Sequence, residues 1–334
     1  MASTRKPVVL VTGGAGYIGS HAVLALRDLD WPVVVLDNLS TGRKQLVPED
    51  VPFQEGDVGD IDLVMQLIKT HDVGAVLHFA ASIIVPESVR DPLKYYRNNS
   101  CNARNLLESV TRAGVRHFLF SSTAAVYGIP AKVPITEDMP KAPINPYGRS
   151  KWMMEMMLAD VAQAHPMNYC ALRYFNVAGA DPQGRSGQCT EAATHLIKIA
   201  VEAALGKRSD VSICGTDYAT PDGTGVRDYI HVSDLAAAHV LALQALIDAP
   251  SESLVMNCGY GQGSSVLQVW WPAPSTQATP PLQPCRCTAQ SQPRFENVRL
   301  RCERKTRRRH QSDPLPSREN HGKQTSFLMD HVPP

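Results

Sequence analysis

The chain has 334 residues, enough for one large domain or two ordinary ones, with 43% hydrophobic and 19% charged residues. That balance excludes a disordered or collagen-like chain, and a net charge of +1 gives no global drive toward nucleic acid. No run of 18 apolar residues occurs, the basic start meets glycines after a short apolar run, and the eight cysteines lack framework spacing; a cytoplasmic protein with reduced thiols and no membrane partner is expected.

In chain order, residues 7–11 form a β-rich run leading into glycines, residues 17–29 have helical spacing, and residues 33–36 form a second apolar run ending at Asp37. Residues 75–78 and 117–121 are further candidates for buried strands, each preceded by a helical stretch. Helical patterns follow at 91–113, 146–164, 192–205 and 233–248, with strand-like runs at 169–174 and 227–232 between them. Short uninterrupted apolar runs separated by helices predict a parallel sheet covered on both faces, a doubly wound α/β fold. The expected organisation is a Rossmann domain over residues 1–180, to which later segments return, and a smaller substrate lobe over 181–268. Residues 269–334 differ in kind: they carry 11 Lys+Arg against 5 Asp+Glu, ten of the 25 prolines and one of the 22 glycines. An out-of-frame or disordered tail is expected there.

The first chemical motif is Thr12-Gly13-Gly14-Ala15-Gly16-Tyr17-Ile18-Gly19, after a strand and opening a helix. Gly13 would permit the tight turn, Gly16 the close approach of a pyrophosphate, and Gly19 close packing of helix on sheet. Asp37, 18 residues beyond Gly19, would accept hydrogen bonds from an adenosine ribose and repel a 2′-phosphate, which favours NAD. Asn38 and the small polar Ser40-Thr41-Gly42 continue that loop, while Arg43 and Lys44 keep NADP open. The second motif is Tyr147-Gly-Arg-Ser-Lys151, whose i,i+4 spacing puts an ammonium on the same helix face as a phenol. A neighbouring cation lowers the pKa of tyrosine and lets it act as a base near neutrality. With Ser121-Ser122-Thr123 at the end of a strand, a hydroxyl on Thr123 could bond the oxygen that Tyr147 deprotonates, and the three together define a hydride-transfer site.

The segments VTGGAGYIGSH, LDNLSTG, EGDVGD, VLHFAAS, YYRNNSCNARNLL, FSSTAAVYG, NPYGRSK, LRYFNVAGAD, GTDYATPDGTGVRDYIHVSDLA and NCGYG run in order through residues 7 to about 263. On these the chain resembles the extended short-chain dehydrogenase/reductases, and within them the UDP-glucose 4-epimerase group. The resemblance implies that Asp57-Val58 lie along the adenine, Phe79-Ala80-Ala81 beside the cofactor with Asn99 nearby, and Tyr174 and Phe175 at the nicotinamide. It makes Tyr147 the base, Lys151 its electrostatic partner, and Asn176, His195, Leu196 and Arg227 ligands of the sugar nucleotide. A guanidinium fork matches phosphate oxygens, which independently suits Arg227 to a diphosphate; the bland alternative is a surface pair with Asp228.

The implied activity is reversible epimerisation at C4 of UDP-glucose and UDP-galactose, with hydride passing to tightly bound NAD and back, so that net redox is zero. A sugar-nucleotide 4,6-dehydratase would need an acid–base pair after the threonine, where this chain has Ala124-Ala125. An epimerase of UDP-N-acetylhexosamines and an NAD-binding protein impaired by its abnormal C-terminus are the other readings. Two departures from the family bear on substrate: Ile83 replaces a lysine that would touch the diphosphate, and Cys214 stands where a bulky residue would flank uracil. No metal is expected, since His71, His117 and His239 lack companions at ligand spacing, and Cys285, Cys287 and Cys302 lack a fourth ligand. Met153, Met154, Met156 and Met157 read as core or interface packing. The family's helix pair, residues 91–113 with 146–164, implies a homodimer.

Overall fold

The computed structural model describes residues 6–190, 195–209, 211–213 and 215–270. In chain order its elements are β1 (Val8–Thr12), α1 (Tyr17–Arg27), β2 (Val33–Asp37), β3 (Phe53–Glu55), α2 (Ile61–His71), β4 (Val73–His78), α3 (Val85–Arg90), α4 (Pro92–Tyr96), a π-helical turn (Arg97–Cys101) and α5 (Asn102–Arg112). After these come β5 (His117–Thr123), α6 (Pro146–Ala164), β6 (Asn168–Tyr174), β7 (Asn176–Ala178), α7 (Leu196–Ala204), β8 (Val226–His231), α8 (Val232–Asp248), β9 (Leu254–Cys258), β10 (Gly263–Ser265) and α9 (Val266–Trp270).

Seven strands form a parallel sheet in the order β3-β2-β1-β4-β5-β6-β9. Alternation of side chains sends each strand's apolar residues to both faces. On one face Val9, Val11, Val33, Val35, Ala75, Leu77, Leu119 and Leu172 pack under Ala22 and Leu26 of α1 and Leu243 and Leu246 of α8. On the other, Leu10, Val34, Leu36, Val76, Phe118, Phe120 and Ala171 meet Val64 and Ile68 of α2, Leu106 and Val110 of α5, and Met154 and Leu158 of α6. The helices are therefore amphipathic and the strands apolar throughout, as a sheet buried on both sides requires, and the fold is doubly wound.

The chain reverses its winding between β1 and β4, which opens a crevice at the carboxyl ends of these strands. A second sheet, β10-β8-β7, pairs β7 with β8 in parallel and β8 with β10 antiparallel. Its core is thin: Val177, Ile230, Val232, Leu235, Ala238 and Cys258. The small sheet begins at Asn176, ahead of the boundary expected at residue 181, because Phe175 alone separates β7 from β6. Both α8 and β9 return to the large sheet. The expectations for Cys214 and for the chain from residue 271 onward lie outside the described residues.

Candidate active site

The loop from β1 to α1 carries the glycine fingerprint. Gly13 has φ of +73°, and a Cβ there would stand 2.5 Å from the Ala80 nitrogen, so only glycine lets this turn press against the loop after β4. A Cβ on Gly19 would lie 2.1 Å from the Gly13 oxygen, which explains the close seat of α1 on that turn. Gly16 caps α1 with no side-chain hydrogen bond and no acidic residue in the first turn. The first-turn amides, left without a side-chain cap, and the positive end of the helix dipole therefore suit an anion. Tyr17 hands its hydroxyl to the Gly179 oxygen, 2.7 Å away, and Ile18 packs against the core of the small sheet.

Asp37, the last residue of β2, is 7% exposed. Its Oδ2 accepts from the Ala15 amide and its Oδ1 from the Leu39 amide, each at 2.9 Å. Burial raises its pKa while those two amides pull it back. Each oxygen keeps a further lone pair, so the carboxylate is both fixed in place and able to accept ribose hydroxyls. Asn38 and Asp57, from the loops after β2 and β3, meet at 3.1 Å, and Asp57 also accepts from the Gly59 amide and from Asn102. Val58 is buried between these loops and α2. Ser40 and Thr41 are exposed, and Gly42 backs onto Ala15. Together these groups line one side of the crevice with a donor and acceptor set that fits an adenosine diphosphate.

Across the crevice, Phe79 and Ala80 donate their amides to the Thr12 oxygen at the end of β1. Ala81, half-buried, follows them. Asn99 is buried and bridges two elements, accepting from the Ser82 amide at 2.8 Å and donating to the Ser150 hydroxyl of α6 at 3.1 Å. Sequence reading put Asn99 near the cofactor; in the structure it ties the loop after β4 to the helix bearing Tyr147.

The proton-transfer residues lie where β5 ends and α6 begins. Asn145 caps α6 by accepting from the Gly148 amide at 2.8 Å, and Pro146 follows at the first helical position. Thr123, the last residue of β5, presents its hydroxyl toward the half-buried Tyr147 phenol. Burial raises the Tyr147 pKa and the Thr123 hydroxyl lowers it. Lys151 is 3% exposed. Its Nζ donates to the Ser121 oxygen at 3.0 Å and sits 4.8 Å from the centre of the Phe120 ring. Burial pushes Lys151 down to about 7, partly opposed by the Glu155 carboxylate. His78, at the end of β4, is pushed down to about 3 by burial and by Lys151, and its Nδ1 bonds the Thr12 hydroxyl at 2.7 Å. Tyr174 bonds Ser121 through its hydroxyl, and burial and Tyr147 both raise its pKa. Phe175 follows half-buried.

The groups assigned to sugar nucleotide sit farther along. Asn176 starts β7 and pairs in register with Tyr229. His195 precedes α7 and bonds Gln188 through Nδ1 at 2.8 Å; burial and Lys198 lower its pKa. Leu196 is the first helical residue. Arg227 is exposed on β8 and donates to its neighbour's Val226 oxygen, whereas Asp228 accepts from the amides of Tyr260 and Gly261. The carboxylate of Asp228 thus has partners of its own. Ile83 is 49% exposed beside the crevice loop.

Sequence reading missed one cluster under this site. Glu155, 4% exposed on α6, pairs with Arg173 of β6 at 2.5 Å and accepts from the Ser122 hydroxyl at 2.5 Å. Arg173 also donates to the Tyr127 hydroxyl, which donates to Asn257 of β9. The available signal was Glu155 four residues beyond Lys151, on the same face of the same helix.

The model of the NAD dependent epimerase/dehydratase family matches residues 9–259. A UDP-glucose 4-epimerase of Azospirillum brasilense is 59% identical over 267 residues, 80% of this chain and 76% of that protein. One of Rhizobium meliloti is 47% identical over 261 residues, 78% of this chain and 79% of that protein. The crystal structure of the Brucella ovis UDP-glucose 4-epimerase in complex with NAD has a TM-score of 0.76 at 46% identity, covering 79% of this chain and 80% of that one. That of Bifidobacterium longum, in complex with NAD+ and UDP, has a TM-score of 0.73 at 39% identity, covering 78% and 80%. With its fingerprint, its buried Asp37 and its Thr123–Tyr147–Lys151 set all inside the matched span, the chain belongs to the NAD dependent epimerase/dehydratase family.

Proposed function

We propose that this chain is an NAD-dependent isomerase that interconverts UDP-glucose and UDP-galactose at C4. The carrying observation is the Tyr147 phenol at the start of α6, followed one helical turn later by the buried Lys151 that is held on the Ser121 oxygen, where the sheet order leaves a crevice for a dinucleotide. The close relatives named for this activity support the choice of sugar nucleotide. When bound, NAD supplies reversible hydride acceptance.

The chain's own groups do the rest. Gly13, Gly16, Tyr17, Ile18, Gly19, Asp37, Asn38, Ser40, Thr41, Gly42, Asp57, Val58, Phe79, Ala80, Ala81 and Asn99 hold the dinucleotide, with Tyr174 and Phe175 at its reacting end. Tyr147 takes the proton from the sugar 4-hydroxyl and gives it back, Thr123 orients that hydroxyl, and the Lys151 charge favours the phenolate. Asn176, His195, Leu196 and Arg227 hold the sugar nucleotide, with Arg227 on the diphosphate. Ala124 and Ala125 after Thr123 supply no second acid–base pair, which disfavours water elimination.

Two finer points belong to the same reading. Leu93, Met153 and Met156 stand exposed on the helix pair, which supports a homodimer. Residues from about 269 onward are an out-of-frame reading of the gene, a view supported by their composition and by a family match that ends at residue 259. Resequencing the DNA around codon 269 checks it.

Incubating the purified chain with UDP-galactose and no added NAD tests the function, since a cofactor regenerated each turnover need not be supplied. UDP-glucose should form. A 4-keto-6-deoxy sugar instead would establish a dehydratase, and bound NAD with no turnover an inactive binding protein.

A further inference from the structure

Three successive residues at the end of β5 make three different contacts. The Ser121 oxygen holds the Lys151 ammonium, the Ser122 hydroxyl donates to Glu155, and Thr123 presents its hydroxyl toward Tyr147. Tyr147, Lys151 and Glu155 are spaced by four along α6 and so stand on one stripe of it. The carboxylate at the inner end of that stripe is clamped: Arg173 Nε lies 3.0 and 3.2 Å from its two oxygens, and Nη2 lies 2.5 Å from one of them. Glu155 thus joins the strand end and the helix whose relative register brings proton donor, base and cation together.

We propose that Glu155, clamped by Arg173 and Ser122, is a positioning residue for proton transfer that sets β5 against α6 in the register where Ser121, Thr123, Tyr147 and Lys151 meet. This rests on the epimerase reading above. A buried pair of this kind is a costly way to gain stability alone, because both ions must be desolvated and an apolar pair of like size does as well. Its position under the site gives it a reason to exist.

The charge of Glu155 acts in the same direction as its geometry. It favours the ammonium of Lys151, which burial disfavours. The other groups placed against Lys151 are Ser121 and Phe120 from β5 and His78 from β4, while Arg173 from β6 meets Glu155 and Tyr174 meets Ser121. His78, with its pKa near 3, is neutral in the working range. Glu155 is the acidic member of this group. Its removal lowers the pH at which Lys151 loses its proton, so the alkaline limb of activity moves to lower pH.

Two variants test this. Glu155→Gln keeps the shape and removes the charge; Glu155→Met with Arg173→Met removes the pair without leaving an unmatched ion. Per folded molecule, counted by bound NAD, both should lose roughly tenfold or more in kcat, with KM for UDP-galactose within about twofold. The alkaline limb should move down by about one pH unit in Glu155→Gln. NMR of ε-13C-labelled lysine, with Lys151 assigned through Lys151→Met, should show the same shift in its titration midpoint without any turnover. A double variant that regains both wild-type melting temperature and wild-type kcat would show the pair to be structural only and overturn the proposal. An unmoved Lys151 midpoint would also overturn it. If the wild-type chain converts no UDP-galactose, the epimerase reading fails separately, and the NMR comparison still decides whether Glu155 governs Lys151.

Discussion

At the scale of single residues, Tyr147 is caught between burial, which favours its neutral phenol, and the Thr123 hydroxyl, which favours the phenolate. Removing the phenolic oxygen deletes the proton acceptor and little packing. Tyr147→Phe should therefore retain bound NAD while losing kcat by roughly 10²–10⁴-fold, the usual worth of a positioned acid–base group. Turnover close to wild type would mean that another group accepts the proton. Asp37 offers a second single-residue test. Its oxygens are anchored by the Ala15 and Leu39 amides, so the charge cannot swing away from an added 2′-phosphate. Asp37→Ala should weaken NAD and strengthen NADP relative to it, measured by titration with both dinucleotides. An unchanged ratio would remove Asp37 from the ribose site.

At the scale of elements, α6 is the one on which the chemistry depends. Its nineteen residues start at a side-chain cap, Asn145, only two residues from Tyr147. Asn145→Ala leaves the Gly148 amide without that acceptor and should cost about 1 kcal/mol, or about 1–2 °C in melting temperature for a chain of this size. Because the first turn carries the base, kcat should fall with it, and Asn145→Asp should restore both. A lowered melting temperature with unchanged kcat would separate the cap from the chemistry. The helix was legible to the residue, the expected 146–164 coinciding with Pro146–Ala164, although its buried side mixes Met154 and Leu158 with Ser150, Lys151 and Glu155. The strands of the large sheet were legible because burial on both faces makes them apolar without interruption. The β5 strand runs two residues beyond the expected 117–121, through Ser122 and Thr123, which stay in register with Arg173 and Tyr174 of β6. Strands β7 and β10 have three residues each, too few for any period to show. The stretch expected as one helix over 91–113 is α4, a π-helical turn and α5 in succession, and nothing in an apolar period distinguishes a π turn from an α turn. Arg173 and Glu155 stayed hidden because they lie 18 residues apart on different elements, and only the packing of α6 on β6 joins them.

At the scale of the whole molecule, the doubly wound core imposes a pH dependence on stability. His78 lies buried at the end of β4, stacked on Phe120 at 5.9 Å, and burial holds it neutral with a pKa near 3. His239, fully buried on α8, packs against Phe79 at 4.8 Å, leaves its Nε2 without a partner, and is held near 4. Both titrate near 6.5 once unfolded. Between 6.5 and those lower values the unfolded chain binds protons that the native chain refuses, so stability falls as pH falls. By pH 5 each histidine accounts for about 2 kcal/mol of the loss, as an upper bound for groups this buried. Lys151 adds no slope there, because it is protonated in both states below about 7; its influence is a gain in stability as pH rises from 7 toward the ordinary lysine value. Asp37, raised by burial, opposes the acid loss weakly, since the native form takes up its proton first. The histidines should dominate from pH 6.5 to 4.5. Thermal melts across that range should show a falling midpoint, and His239→Leu, which fills the same space without a titrating ring, should flatten the slope while matching wild type at pH 7.5, the remainder coming from His78 and from His21 and His195, which burial also lowers. A slope as steep as the wild type's in that variant would place the acid sensitivity elsewhere, in ion pairs such as Arg185–Asp181, whose carboxylate is held below its usual value and must be protonated to break.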